Sequence, residues 1–222
     1  MRLILPILLS VFATARAESL IQVLARLDKS ADAFQGMTAN LTQVEHTEVI
    51  NDNETRTAAI RMKRTKQGIA GRVDFTGPNR MMVGIRDRQV QRYFPQSNVV
   101  ELYDVGKYGD QLDQFLLLGF STSGKELRRN YNLRLVGTET VGEKVTTHIE
   151  LTPKSKEAQE IFKKADIWLA QDATYPVKEK IHKNDQDYTL ITYSDVKLNP
   201  PLSDKDLELN LPPGVKKITP QK

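Results

Sequence analysis

The sequence IAGRVDFTGPNRMMVGI, residues 69–85, alternates apolar and polar side chains on either side of a turn signal. The turn signal is Gly77-Pro78-Asn79, three residue types that favour β-turns. The apolar positions are Ile69, Val73 and Phe75 before the turn and Met81, Val83 and Ile85 after it. Alternation with a period of two is typical of a strand with one buried face, so this stretch predicts two antiparallel strands joined by a turn.

The alternation continues outward from this hairpin in both directions. Ile60 and Met62 alternate with basic residues before it, and an apolar run from Val99 to Tyr103 follows it. In the second half of the chain the pattern returns at 133–135, 145–151, 165–169, 177–181 and 188–196. It predicts a mainly β fold, a meander of short antiparallel strands with one apolar face and one charged face.

Helical spacing occurs first at residues 19–34. There Leu24 and Leu27 belong to one apolar face, with Ser19 as the cap and Gly36 as the end of the helix. A second, shorter helix is predicted at 155–162. The C-terminal residues 207–215 predict a strand followed by an extended tail that prolines stiffen.

The sequence between the two β-rich halves breaks the alternation. Residues 109–120 predict a short helix that leads into a strongly apolar segment, Phe115–Phe120. This segment is too hydrophobic for a solvated loop, so we expect it to be a movable lid with hinges at Gly119 and Gly124.

Residues 1–17, MRLILPILLSVFATARA, combine a basic start, an apolar core and a small-residue cleavage site. This is the pattern of a secretory signal peptide. The remaining residues 18–222 contain neither a repeat nor a linker and predict one exported, soluble domain. Cysteine is absent, which excludes disulfides and a lipid-modified N-terminal cysteine.

Composition excludes several function classes. A formal charge of +4 over 222 residues, without a concentrated basic face, argues against nucleic-acid binding. His46, His148 and His182 lack the spacing of metal ligands, and no nucleophile or phosphate-binding motif is present. We therefore predict no catalytic residues, no metal site and no cofactor.

Two groups resemble catalytic motifs and have simpler explanations. His182 with Asp185 and Asp187 lies where the composition predicts a hairpin turn. The glycine- and serine-rich run at 119–124 lacks the strand-turn-helix context of a nucleophile loop, and we interpret it as a flexible hinge.

Arg64 differs from the other basic residues of the strands, which we expect on the solvated face. It has the parity of Ile60 and Met62 and is therefore expected to point to the apolar side. An inward charge needs partners, so Arg64 is the residue expected to have a specific role. The apolar side itself either closes into a packed core or lines a cavity for an apolar ligand, and periodicity leaves both open. Flexible methionines favour the adaptable surface.

The order of these features is specific. The first helix is followed by Gly36-Met-Thr-Ala-Asn-Leu-Thr-Gln43, Lys63-Arg64, Gly77-Pro78, Tyr93-Phe94-Pro95, the apolar Phe115 segment, Leu151-Thr-Pro-Lys154 and Leu211-Pro-Pro-Gly-Val215. Over the whole of residues 18–222 this order resembles the LolA family of periplasmic outer-membrane lipoprotein carriers. The resemblance implies an unclosed antiparallel β-barrel, or half-barrel, covered by an N-terminal helix and a short helical lid over an apolar cavity.

The resemblance also implies a function without chemistry. A family member takes lipoproteins from an inner-membrane ABC lipoprotein-releasing transporter, holds their acyl chains as a periplasmic monomer, and hands them to an outer-membrane receptor. Arg64 matches the arginine with which the family gates its lid. The cavity candidates are Leu24, Leu27, Ile60, Met62, Val73, Phe75, Met81, Val83, Ile85, Leu116, Leu117, Leu118 and Phe120.

Some positions depart from the family pattern and suggest a divergent carrier. Thr65 follows Arg64 where the family usually has proline, and Arg88 follows Asp87 where glycine is usual. Two alternatives remain open from the sequence. One is a lipid- or lipoprotein-sensing module of the same architecture. The other is an exported lipid-modifying enzyme, which is disfavoured because no nucleophile-base pair is evident.

Overall fold

Strands that lie side by side in one open sheet make up just over half of the residues that the structure describes. The computed structural model describes residues 18–104, 106 and 118–220. Within them the strands are β1 Gly36–Thr47, β2 Asp52–Thr65, β3 Gly68–Phe75, β4 Met81–Arg86, β5 Gln89–Phe94, β6 Val99–Asp104, β7 Tyr131–Val141, β8 Lys144–Pro153, β9 Lys164–Ala170, β10 Pro176–His182, β11 Tyr188–Leu198 and β12 Lys216–Ile218. The predicted signal peptide and half of the apolar segment, Phe115, Leu116 and Leu117, lie outside the described residues.

The strands follow the order β12-β6-β5-β4-β3-β2-β1-β11-β10-β9-β8-β7. Neighbouring strands are antiparallel, except that β12 runs parallel to β6. The meander β2–β6 and the meander β7–β11 meet through β1, which pairs with both β2 and β11. The two ends of the sheet do not pair with each other, so the predicted unclosed, mainly β architecture is confirmed.

The hairpin predicted from the alternation is present. Val73 of β3 lies opposite Val83 of β4 and opposite Ile60 of β2. Residues directly opposite in paired strands share a face, so the apolar side chains of these strands lie together. The next turn, Asp87-Arg88, has two left-handed residues with φ of 51° and 62°, a conformation that normally favours glycine or asparagine.

The first helix, α1, spans Leu20–Ala33 and confirms the helical prediction. Ser19 and Gln22 form a capping box at its start, in which each side chain accepts a hydrogen bond from the other's backbone. The buried side of the helix consists of Val23, Leu24, Leu27 and Ala31. Arg26 connects the helix to the sheet by donating to the backbone oxygen of Ala170 at 2.7 Å. Gly36 begins β1 instead of ending the helix.

A second helix, α2, spans Gly124–Asn130 and was missed by the sequence pattern. Ser123 caps it in a capping box with Glu126. A Cβ at Gly124 would lie 2.3 Å from the backbone oxygen of Leu24, so the two helices cross in close contact there. Gly124 is therefore a packing residue, and the prediction that it is a hinge is wrong. The third helix, α3, spans Lys156–Ile161 and begins after its predicted cap.

The C-terminal segment also differs from prediction. In place of a strand at 207–215, a short 3-10 turn at Asp204–Asp206 leads into irregular backbone that crosses β3 and β4. There Arg72 donates to the backbone oxygen of Glu208 at 2.7 Å, and Leu209 occupies the space beside Gly84. The chain pairs with the sheet edge only afterwards, as β12. Tertiary contacts of this kind outweigh local strand propensity.

Two large apolar clusters form most of the core in the described part of the chain, and a third, smaller one consists of Trp168, Ala170 and Val177. The helix-side cluster packs α1 and α2 on β8–β10 and contains Val23, Leu24, Leu27, Leu118, Leu127, Tyr131, Ile149, Leu151, Phe162, Ala165, Ile167, Leu169 and Ile181. The strand-side cluster lies on β1–β3 and contains Phe34, Met37, Ala39, Leu41, Ala58, Ile60, Met62, Ile69, Val73 and Phe120. The turn at residues 118–120 joins the clusters, because Leu118 belongs to the first and Phe120 to the second.

Candidate functional site

One face of the sheet, called the inner face here, is apolar across β4–β1 and β11–β7 apart from Glu179. Register defines it as the row Val83, Val73, Ile60, Ala39 on β4–β1 and the row Ile191, Glu179, Ile167, Ile149, Leu135 on β11–β7. Leu41 and Tyr193, which lie opposite each other, connect the two rows. Both apolar clusters lie on this face.

The structure places the predicted cavity residues on the inner face or against it, in two groups. Leu24, Leu27 and Leu118 are buried in the helix-side cluster. Ile60, Met62, Val73 and Phe120 are buried in the strand-side cluster, and Ile85 is buried nearby. The remaining described candidates, Phe75, Met81 and Val83, are only partly buried. The inner face therefore grades from a packed centre to an accessible apolar margin on β3 and β4.

A polar group that the sequence did not reveal borders this margin. Arg92 of β5 lies opposite Val83 and so points to the inner face. Its guanidinium lies 3.4 Å from the Glu101 carboxylate, which also accepts a hydrogen bond from Tyr103 at 2.7 Å. The hydrogen bond to Glu101 raises the pKa of Tyr103. The signal in the sequence was the two-residue turn Asp87-Arg88, because counting back from it along both strands pairs Arg92 with Val83 and so places Arg92 on this face.

An acidic side chain lies at the centre of the inner face, where the two clusters meet. Glu179 of β10 is 5% exposed, and its cross-strand neighbours are Ile167 and Ile191. Tyr193 donates a hydrogen bond to its Oε2 at 3.2 Å, while its Oε1 has no hydrogen-bond partner in the described part of the chain. Burial raises the pKa of Glu179 to about 8. Within the alternating stretch 177–181, Glu179 occupies an apolar position, and this parity was the sequence signal that its side chain lies on the apolar face.

Arg64 lies at the end of β2, opposite Ile69. It has the parity of Met62 as predicted, yet its side chain is exposed because the strand carries it past the strand-side cluster. The expectation that it is an inward charge is therefore wrong. Its guanidinium lies 6.0 Å from the centre of the Phe34 ring. It lines an open cleft together with Lys63, Lys66, Arg86, Asp87 and Asp204.

Two of the three histidines come together on the opposite face of the sheet. His148 and His182 each lie within 2.9 Å of one carboxylate oxygen of Asp166, and His148 stacks on Trp168. Both histidine side chains are mostly buried, with exposed fractions of 14% and 18%. The contacts of Asp166 with His148 and His182 are hydrogen bonds or ion pairs. Within the described ranges no group of side chains is arranged to hold a metal ion.

The turn after β10 matches its prediction. Asp187 accepts hydrogen bonds from the backbone of Glu48 and from Asn184, which lowers the pKa of Asp187. His182 binds Asp166 and not this turn, so a catalytic pairing with the turn carboxylates has no geometric basis.

Among residues 18–104, 106 and 118–220, no helix is both long and apolar enough to span a bilayer.

Solved structures share this architecture. An uncharacterized conserved protein from Thermus thermophilus superposes with a TM-score of 0.59 at 12% identity, covering 91% of this chain and 100% of that one. MucB superposes with a TM-score of 0.53 at 16% identity, covering 86% of this chain and 62% of MucB. A LolA superfamily protein from Nitrosomonas europaea matches at 13% identity and a TM-score of 0.42, covering 87% and 99% of the two chains.

The chain shares its fold with the Thermus thermophilus protein and with MucB, both at TM-scores above 0.5. The unclosed antiparallel sheet expected from the sequence resemblance is thus confirmed. No protein-family model matches the sequence, and the comparison with curated proteins finds no match. At these identities the likeness concerns the fold alone, so only the architecture is carried into the argument for function.

Proposed function

We propose that this protein is a periplasmic carrier that binds the acyl chains of lipoproteins on its inner face and moves them from the inner to the outer membrane. One observation supports the proposal above all. The inner face of an unclosed sheet is apolar from its packed centre to the partly exposed margin at Phe75, Met81 and Val83. Monomeric proteins seldom leave a contiguous apolar surface without a ligand or partner.

The energetics of such a surface fit transport. Burying an acyl chain yields about 0.8 kcal/mol per methylene, so a long chain offsets the entropy cost of association and a short one does not. A carrier must release its cargo without an energy source, and a fully enclosed chain would be held too tightly. The partial exposure of the apolar margin and the flexible side chain of Met81 favour weak, reversible binding of the acyl chain.

The partners follow from the same proposal. Acyl chains would arrive from an inner-membrane ABC lipoprotein-releasing transporter and leave to an outer-membrane receptor where one exists. Residues 1–17 would direct export, and the carrier would act as a monomer without cofactor or catalysis. Arg64, whose side chain is exposed, would gate the transfer by hydrogen-bonding the lid.

Displacement of an apolar fluorescent probe tests the proposal. We expect the mature protein to bind N-phenyl-1-naphthylamine with micromolar affinity, about −8 kcal/mol, and an acylated peptide to displace it. Val83→Glu places a charge on the apolar margin and should abolish probe binding. Val49→Glu makes the same change at a site that is 90% exposed and should not affect binding.

Circular dichroism of both variants must match the native spectrum for this comparison to hold. If the native protein ignores the probe, the inner face is a closed core and the carrier proposal fails. If the protein binds acylated peptide and never transfers it to a receptor or to acceptor membranes, the lipoprotein-sensing alternative is correct instead.

A further inference from the structure

A buried carboxyl group interrupts the inner face at its centre. Glu179 is surrounded by apolar side chains, with Ile167 on one neighbouring strand and Ile191 on the other. Above it the 118–120 turn brings Gly119 close to Ile167 and packs the Phe120 ring edge-on against Tyr193, with ring centres 5.1 Å apart. A polar group in such surroundings is costly unless it is hydrogen-bonded.

The hydrogen bonds of this carboxyl group are incomplete. Tyr193 satisfies Oε2, and Oε1 has no partner within the described residues. Buried polar atoms in native proteins nearly always have partners, so an orphaned one indicates a missing water, ion or ligand. Glu179 therefore points to a partner that is bound during function.

The protonation state decides which partner fits. Burial holds the pKa of Glu179 at about 8, so near neutral pH the group is mainly a carboxylic acid. Oε2 then accepts from Tyr193, and Oε1 carries a proton that needs an acceptor. Its Tyr193 neighbour stays protonated as well, because burial and the adjacent carboxyl hold the pKa of Tyr193 well above its usual range. The site thus offers a neutral donor and no positive charge.

We propose that Glu179, held in place by Tyr193, is a polar anchor that donates a hydrogen bond to the carbonyl oxygen of an acyl ester or amide. The inference rests on the proposed function, since it concerns the same apolar face. The ester and amide carbonyls of an acylated ligand are hydrogen-bond acceptors attached directly to hydrocarbon. A ligand that displaces the 118–120 turn from Glu179 can therefore contact the apolar side chains around it and satisfy Oε1 together.

The same donor gives selectivity. A hydrocarbon of equal length leaves the Oε1 proton unpaired, and a free fatty acid brings a carboxylate that must be desolvated. A single hydrogen bond of this kind contributes about a factor of ten in affinity. We expect the anchor to favour acyl esters over alkanes of matched length by about this factor.

Competition against N-phenyl-1-naphthylamine with methyl decanoate and undecane tests this selectivity. The ratio of ester affinity to alkane affinity should be about tenfold higher in the native protein than in Glu179→Leu, which matches the side chain in size and lacks the donor. In Glu179→Leu the ester carbonyl is buried without a hydrogen bond, so that variant should favour the alkane. Glu179→Gln retains an N–H donor and should keep a preference for the ester.

The outcomes separate this inference from the proposed function. If the ratio of ester affinity to alkane affinity is the same in the native protein and in Glu179→Leu, the anchor is refuted and the carrier proposal stands. If neither ligand competes in any variant, both fail. Circular dichroism of Glu179→Leu and Glu179→Gln checks that loss of preference is not loss of structure.

Discussion

Replacing Glu179 with glutamine should remove a large pH dependence of stability. In the folded protein the pKa of Glu179 is raised to about 8 by burial, from an ordinary value of 4.5. Between these two values the folded state keeps the proton that the unfolded chain has lost. Stability contributed by the protonated group is therefore complete below pH 4.5 and is lost as the pH rises through 8.

The structure gives the size of the effect. The difference between the two pKa values corresponds to about 5 kcal/mol at 1.36 kcal/mol per unit, an upper figure for a rigid site. The groups that face Glu179 from the neighbouring strands and the turn above are Ile167, Ile191, Tyr193 and Phe120, and only Tyr193 titrates among them. Its raised pKa keeps it protonated throughout this range, so the slope belongs to Glu179.

Urea unfolding at a series of pH values measures this slope. The free energy of unfolding of the native protein should fall, relative to Glu179→Gln, by several kcal/mol between about pH 5 and pH 9. Glu160→Gln, the same change on an exposed side chain of α3, should follow the native profile. Parallel profiles for the native protein and Glu179→Gln would show that the carboxyl group is solvated or paired, and would refute the account of the site.

Three further predictions concern other parts of the chain. Gly124→Ala should lower the free energy of unfolding by about 1–3 kcal/mol in urea titrations because its Cβ would overlap the backbone of α1, whereas the exposed Lys125→Ala should change it little. Arg64→Leu should keep folding and probe binding but slow transfer of acylated peptide to acceptor membranes, and native transfer rates would remove its gating role. Glu150→Gln should reduce the loss of unfolding free energy at acid pH. Hydrogen bonds from Arg134 and Lys164 lower the pKa of Glu150 to about 2, and the stability that they add is lost as the pH falls from 4.5 toward 2. An unfolding free energy that depends on acid pH as in the native protein would contradict this.

The sheet was predictable because its information is local. Strands with one buried face alternate in sequence, and the pairing of Val73 with Ile60 and Val83 follows from that alternation and short turns. Helix α1 was predictable for the same reason, since its apolar side repeats at helical spacing and Ser19 supplies the cap.

The features that were missed depend on distant parts of the chain. Gly124 resembles a loop residue until Leu24 is known to lie against it. His148, Asp166 and His182 come from three strands, and only the register of β8, β9 and β10 makes them neighbours. The C-terminal segment follows its contacts with Arg72 and Gly84 and not its own strand propensity.

The candidate site was predictable in part. Parity placed Ile60, Val73 and Val83 on one face, and the structure has them there. The prediction that Arg64 is buried was wrong, because parity gives the face of the sheet on which a side chain lies and not how deeply it is buried. Strand β2 ends beyond the strand-side cluster, so Arg64 is exposed. The parity of Glu179 was visible, but its burial required knowledge of the turn that covers it.

Native mass spectrometry of the protein, isolated gently from the periplasm of cells that produce it, tests the central claim most directly. We predict a population whose added mass corresponds to acylated peptide or lipid, and we predict that this population is absent from Val83→Glu and retained in Val49→Glu. Protein that carries no acylated species, and acquires none when incubated with a diacylated peptide, would contradict the account of the inner face as a carrier surface.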